Sequence, residues 1–387
     1  MMILGTLLAA YVIIRGIVPL RLALGWKWAL AALTVLVAFK FHVLHWVGGP
    51  MYFAPELPPF VLEVSAWLFA VLFLFFFLLF AANVVRGAAR LVRLCLRRRG
   101  APWSRAATNR ANLALLLVAL VLATAGIGEG TRVPEVRRET LVFDNLPPEA
   151  DGLTIAVLAD LHIDSMARGE RLGKIVDRTN ALNPDLVVAV GDFVDGTVAM
   201  RGKDMKALSR LSARHGVFGV PGNHEYYSGY RSWMAFLSEL GIRMLPNEHA
   251  LPGPEGIVLA GVTDPAASRM GGEMPDVKKA LHGSPPGAFR ILLAHQPALA
   301  LEAAKNDVDL QISGHTHGGM IVGIDRIVAA FNKGFVSGAY DVGRMKLEVS
   351  NGSGIWNGFP IRLGVPPEIL LLTLRRAEPA EPAEARL

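Results

Sequence analysis

Hydrophobic positions fall into two regimes along this chain, changing near residue 130. Before it, apolar residues run almost unbroken. Phe60 to Val85 contains Leu72-Phe-Leu-Phe-Phe-Phe-Leu-Leu-Phe80, and Ala111 to Gly128 is nearly wholly apolar. Both suit the roughly 20 apolar residues that a helix needs to cross a bilayer. Met1 to Leu20 and Trp26 to Val47 have the same character but are interrupted by Arg15 and Lys40, which can snorkel to an interface. The pattern therefore predicts about four spans within 1–129, with Trp26, Trp28 and Trp46 suited to interfacial belts. From Thr131 short β-type runs alternate with helix-like stretches, which predicts an α/β domain over 130–376. Amphipathic stretches near 168–182, 201–214 and 229–240 supply connecting helices. The tail 377–387 repeats Ala, Glu and Pro and is expected to be disordered.

Charge refines the first regime. Net charge is +6, but the stretch 86–110 alone holds eight arginines and no acidic residue, leaving 6 − 8 = −2 for the rest. The basic balance thus belongs to one loop beside a span, and no nucleic-acid partner is expected. The positive-inside bias makes 86–110 cytoplasmic, while the 49–59 loop, without Lys or Arg, lies outside. The second domain is then delivered to the extracytoplasmic side of a plasma or inner membrane. A signal-like reading of 97–125, ending at Ala123-Thr-Ala125, leads to the same side. Cys95 is the sole cysteine, which excludes an intrachain disulfide and any cysteine-rich zinc site.

Five apolar runs of the second domain end alike. Leu153–Ala159 leads into Asp160-Leu-His162, Asp185–Val190 into Gly191-Asp192, and Gly216–Val220 into Pro221-Gly-Asn223-His224. Arg290–Ala294 leads into His295, and Asp309–Ser313 into Gly314-His315-Thr-His317. Ligand-type residues at the carboxyl ends of several strands belong on one rim of a sheet, where open α/β sheets build their sites. Glycines 191, 222 and 314 allow tight turns there. Asp160, His162, Asp192, Asn223, His295, His315 and His317 combine hard oxygen with imidazole, which suits Mn, Fe, Zn or Ni rather than Cu(I) or Ca. Seven ligands exceed the needs of one ion and fit two divalent ions sharing a carboxylate. Such a pair can clamp the attacking and leaving oxygens of an in-line phosphoryl displacement and supply hydroxide near neutral pH.

These motifs, with Asp195, Glu225 and Gly318-Gly319, resemble the calcineurin-like metallophosphoesterases over about 135–376, most closely the membrane-associated bacterial branch. The resemblance implies a four-layer αββα sandwich. It also implies that Asp160, His162 and His317 hold one metal, that Asn223, His295 and His315 hold the other, and that Asp192 bridges them. His224 would face the phosphate as charge stabiliser or acid, with Asp195 and Glu225 orienting ligands. Met320 and Gln296-Pro-Ala298 depart from the family pattern, which bears on substrate preference rather than on metal binding. His42, His45, His215, His249 and His282 fall outside the pattern.

The expected function is a membrane-anchored phosphoesterase acting on a phosphate mono- or diester. The alternatives are a non-enzymatic scaffold or sensor and a nuclease of the same superfamily. The apolar stretch from Met320 to Phe335 reads either as core or as a lip that admits a lipid-linked phosphate.

Overall fold

The structure is a computed structural model that describes residues 2–49, 51–52, 54–97, 103–356 and 358–378. Arg98, Arg99 and the tail beyond Glu378 lie outside the described residues. The chain divides into two compact units, 1–129 with 357–363, and 130–356 with 364–387.

The first unit is helical. α1 (Met2–Val12) runs into a π-turn, Ile13–Ile17. α2 (Leu24–Ala38) and α3 (Lys40–Gly48) are separated by a 68° bend at Phe39. α4 (Pro59–Cys95) and α5 (Arg105–Thr131) are each long and apolar enough to cross a membrane. The bent α2–α3 pair makes a third crossing if taken as one span, while Met2–Ile17 is shorter. The Ala123-Thr-Ala125 triplet lies inside continuous α5. Lys40 does not snorkel. The bend buries it, with its ammonium 4.7 Å from the Phe41 ring and 4.9 Å from Phe69, where the ring faces attract the charge. Phe359 packs on Phe69 and Phe73, at 6.1 and 4.7 Å between centroids, and the Arg362 N–H donates to the Gly126 carbonyl.

The second unit holds two six-stranded sheets. The first contains β1 (Glu135–Phe143), β2 (Thr154–Leu158), β3 (Leu186–Val190), β4 (Val217–Val220), β5 (Arg243–Met244) and β12 (Glu368–Arg376), in the order β1-β12-β2-β3-β4-β5. The second contains β6 (Glu248–Ala250), β7 (Ile257–Gly261), β8 (Phe289–Leu293), β9 (Leu310–Ser313), β10 (Gly338–Val342) and β11 (Met345–Val349), in the order β10-β11-β9-β8-β7-β6. Alternate residues of both sheets face one core, including Ile155, Val157, Val188, Leu259, Ile291, Ile312 and Leu372. Each such side chain fully buried contributes roughly 1.5–3 kcal/mol. The other face of the first sheet packs against α6 (Gly169–Asn180), α7 (Val198–Met205) and α8 (Asn223–Glu239) through Ile175, Met205 and Trp233. The outer face of the second sheet packs against the short helices Val277–Leu281 and Ala300–Ala303. This is the αββα sandwich.

Two details depart from the amphipathic pattern. α7 stops at Met205 and the chain continues as a 3₁₀ turn, Lys206–Arg210. α8 begins at Asn223, so two of the candidate residues open a helix, and it breaks at Gly229, whose φ is +107°.

β2, β3 and β4 pair in parallel, as do β7, β8 and β9. Parallel pairing puts the carboxyl ends of each set on one rim, and there the two sheets meet. The Val190 carbonyl at the end of β3 accepts from His295 Nδ1 at the end of β8, over 2.8 Å. Ahead of β1, the Thr131, Arg132 and Pro134 carbonyls accept from Arg171 and Arg178 on α6. The segment entering the domain is thereby pinned to it.

Candidate metal centre

The strand ends present their side chains through unusual backbone. Asp160, His162, Asp192, His315 and His317 all have φ between 44° and 72°. Non-glycine residues adopt this left-handed region infrequently, at a cost of about 1 kcal/mol or more each. Of the three glycines, only Gly191 has positive φ, at +78°. Gly222 and Gly314 answer a different need. A Cβ at Gly222 would collide with Asp192 Oδ1, and one at Gly314 with Asp160 Oδ2. They let carboxylates approach the backbone closely.

All seven candidate ligands come from these strand ends, and six fall into interlocking groups. Asp160, His162 and His317 form one, and Asp192, His295 and His315 another. In the first, His162 Nε2 lies 3.1 Å from His317 Nε2, which is 3.6 Å from Asp160 Oδ1. In the second, His295 Nε2 lies 3.3 Å from His315 Nδ1 and 3.2 Å from Asp192 Oδ2. That same Asp192 oxygen is 3.7 Å from His162 Nε2, so it faces both groups. The seventh, Asn223, has a buried Oδ1 without a hydrogen-bond partner. Buried carboxylates, two close imidazole pairs and an orphaned amide oxygen make a donor set that lacks cations. Two divalent ions would satisfy it.

His224 also faces Asp192 Oδ2, at 3.8 Å through Nε2, and joins His162 and Asp192 in a third group. Its Nδ1 is held by Asp195 Oδ1, while Asp195 Oδ2 accepts from His162 Nδ1 at 3.0 Å. One buried carboxylate thus orients both rings. Glu225, fully buried, accepts from the Gly222 and Asp192 amides at 2.7 and 3.0 Å and from the Phe193 amide at 2.8 Å. It ties the β3 and β4 rims together.

The electrostatics follow from burial and crowding. Burial would raise Asp192, but His295 and His224 more than offset it and hold it well below the usual carboxylate range. Burial opposes charge on His224, yet Asp195 and Asp192 outweigh it and raise the ring to about 10. His315 is pushed down to about 3 by burial and by the charge on His295, which leaves its ring nitrogen free to ligate.

Comparison with known proteins decides the family. Residues 153–319 match the family described as calcineurin-like phosphoesterase. A Danio rerio transmembrane protein with metallophosphoesterase domain is 33% identical, over 89% of this chain and 80% of its own. The chain belongs to the calcineurin-like metallophosphoesterases. An uncharacterised metallophosphoesterase of Campylobacter jejuni is 31% identical over 81% of each chain, and one of Helicobacter pylori 35% identical over 64% of this chain and 66% of its own. Of these relatives, the one from Danio rerio is named as a transmembrane protein.

Several residues of this metallophosphoesterase site escape the sequence reading. Asp264 follows β7 as the other candidates follow their strands, and its buried carboxylate accepts from Gln296 Nε2 at 3.0–3.1 Å, next to His295. The run Ile257–Gly261 before Val262-Thr-Asp264 was the available signal. Tyr227 and Trp356 flank His224, at 5.5 and 6.4 Å between centroids, both edge-on. A cavity of about 470 Å³ opens beside His295, with Gln296, Lys305 and Lys333 on its wall. The apolar stretch after Gly319 is divided. Phe335 is buried against Tyr340 in the second sheet's outer core, whereas the helix Asp325–Phe331 buries none of its residues. Val322, Ile327 and Phe331 are 69%, 54% and 83% exposed.

Proposed function

We propose that this chain is a membrane-anchored two-metal phosphoesterase whose domain, 130–376, faces the extracytoplasmic side and hydrolyses a phosphate ester carried on a lipid. The observation behind the two-metal reading is that Asp192 Oδ2 faces an imidazole of each ligand group, His162 and His295. Asp160, His162 and His317 would hold one ion, Asn223, His295 and His315 the second, and Asp192 both. When bound, the pair supplies Lewis acidity and a nucleophile from water at neutral pH. His224 stays protonated at neutral pH because Asp195 holds its Nδ1, and its Nε2–H can stabilise phosphate charge or protonate the leaving oxygen.

The lipid reading rests on the exposed Val322, Ile327 and Phe331, which begin five residues after His317. Three residues, Arg132 to Pro134, join α5 to β1, so the catalytic unit follows directly in sequence on the last long apolar helix. Lys305 and Lys333 beside His295 suit an anionic headgroup. The experiment compares turnover of a vesicle-embedded lipid phosphate with its water-soluble headgroup analogue, in wild type and in Ile327→Ser/Phe331→Ser. Phe335 is left intact because it is core. The reading expects the vesicle substrate to be preferred and the double variant to lose that preference while keeping the soluble activity. Equal turnover of both substrates, unchanged in the variant, removes the lipid and leaves a general phosphoesterase.

A further inference from the structure

The helical unit contains a cavity of about 220 Å³ between α1 with its π-turn, α2, α4 and α5. Its wall is apolar, including Gly16, Leu33, Val71 and Phe75, except for Thr34 and Asn112. Asn112 is buried and is the hub of a polar chain. Its Oδ1 accepts from Arg86 Nη1 at 2.8 Å, and its Nδ2 donates to the Arg15 carbonyl at 3.3 Å. Arg86 Nη1 also reaches Asn83 Oδ1 at 3.1 Å, and Asn83 Nδ2 donates to the Tyr11 hydroxyl at 3.0 Å. Arg15 lies within the π-turn, a local winding that frequently marks functional positions.

This wiring fixes one edge of the Arg86 guanidinium with neutral partners and leaves its charge unmatched. The sequence supplies no internal counter-ion, since residues 1–55 and 64–128 contain no Asp or Glu. Arg15, Arg90 and Arg110 share this basic end of the helices. An apolar slot whose wall residue Asn112 is bonded to a half-buried, anion-seeking arginine has the chemistry of a phospholipid site.

We propose that this cavity binds one anionic diacyl phospholipid from the leaflet at the basic end. One acyl chain enters between Leu33, Thr34, Val71 and Phe75, and the headgroup phosphate pairs with Arg86 and Arg15. The positive charge of the remaining guanidinium edge offers charge-assisted hydrogen bonds that a headgroup phosphate can accept. The assignment concerns a resident lipid, is independent of what the catalytic unit hydrolyses, and stands or falls separately from it.

The test uses the full-length protein in detergent, stripped of lipid and titrated with phosphatidylglycerol or phosphatidylcholine of identical tails, with binding read by native mass spectrometry. Wild type is expected to hold phosphatidylglycerol on the order of tenfold more tightly, as arginines near an anionic headgroup imply. Arg86→Gln should reduce this to the phosphatidylcholine level. Arg86→Lys should keep the preference. Thr34→Phe, which fills the slot, should weaken both lipids. If Arg86→Gln does not fold, judged by its helical content in detergent, the lysine and phenylalanine variants decide. Equal binding of the two lipids by wild type overturns the proposal. So does a phosphatidylglycerol preference that survives both Arg86→Gln and Thr34→Phe, or one that Arg86→Lys abolishes.

Discussion

His224 sits where two roles meet, because its Nε2 lies within reach of Asp192 while its Nδ1 is taken by Asp195. If it is an acid rather than a ligand, His224→Ala keeps two ions per chain by elemental analysis and loses about 10²–10⁴-fold in kcat. Loss of an ion instead would make it a ligand. Gly222 gives a second prediction. Its φ of −102° is ordinary, but a methyl there would collide with Asp192 Oδ1. Gly222→Ala is therefore expected to lose metal content and activity together. Gly229→Ala, which meets open space but sits at φ +107°, should lower stability by roughly 1 kcal/mol with its metals intact. The reverse pattern in the two variants would refute the close-approach argument. The positions of Asp160, His162, Asp192, Asn223, His295, His315 and His317 were legible because each follows an apolar strand run. The left-handed backbone at Asp160, His162, Asp192, His315 and His317 was not, since Asp and His carry no mark of φ in their identity.

At the level of elements, β11 and β12 carry a polar cluster inside the sandwich. Arg137 on β1 donates to Glu348 at 2.5 Å and to Glu368 at 2.8 and 3.1 Å. Glu348 is fully buried; burial raises its carboxyl from 4.5 to about 7, against the pull of Arg137. The folded state thus binds the proton more tightly than the unfolded chain. The resulting stability is complete below about pH 4.5 and is lost as pH rises through about 7, amounting to roughly 3 kcal/mol. Glu348→Gln should flatten this part of the profile, so thermal midpoints measured from pH 5 to pH 8 should fall less in the variant. Parallel slopes in both proteins would reject the assignment. Such clusters are hard to read beforehand. Glu348 alternates within a strand as a surface carboxylate would, and only the pairing of β11 with β9 and β10 buries it. The segment 357–363 is similarly opaque, because its Phe359 and Ile361 lie in a Gly- and Pro-containing loop that the sequence reading includes in the 130–376 domain, whereas it clusters with the helical unit.

For the whole molecule, the decisive measurement is topology. Eight arginines between 86 and 110 predict that this stretch is cytoplasmic, so a protease site placed after Ala377 should be cleaved in intact spheroplasts. Cleavage only after lysis would invert the arrangement. The change at residue 130 was legible as a switch from continuous to interrupted hydrophobicity. The 68° break at Phe39 was not, because Lys40 looks like an interfacial residue until the bend buries it. The left-handed backbone at Asp160, His162, Asp192, His315 and His317 has a consequence for biogenesis. Together these five residues oppose folding by roughly 5 kcal/mol, a large share of a domain's net stability. Ion binding only to the folded form offsets that deficit by mass action. A domain threaded outward as an unfolded chain would then mature only after export, so the metal supply beyond the membrane, rather than the cytosolic pool, would govern how much active protein accumulates.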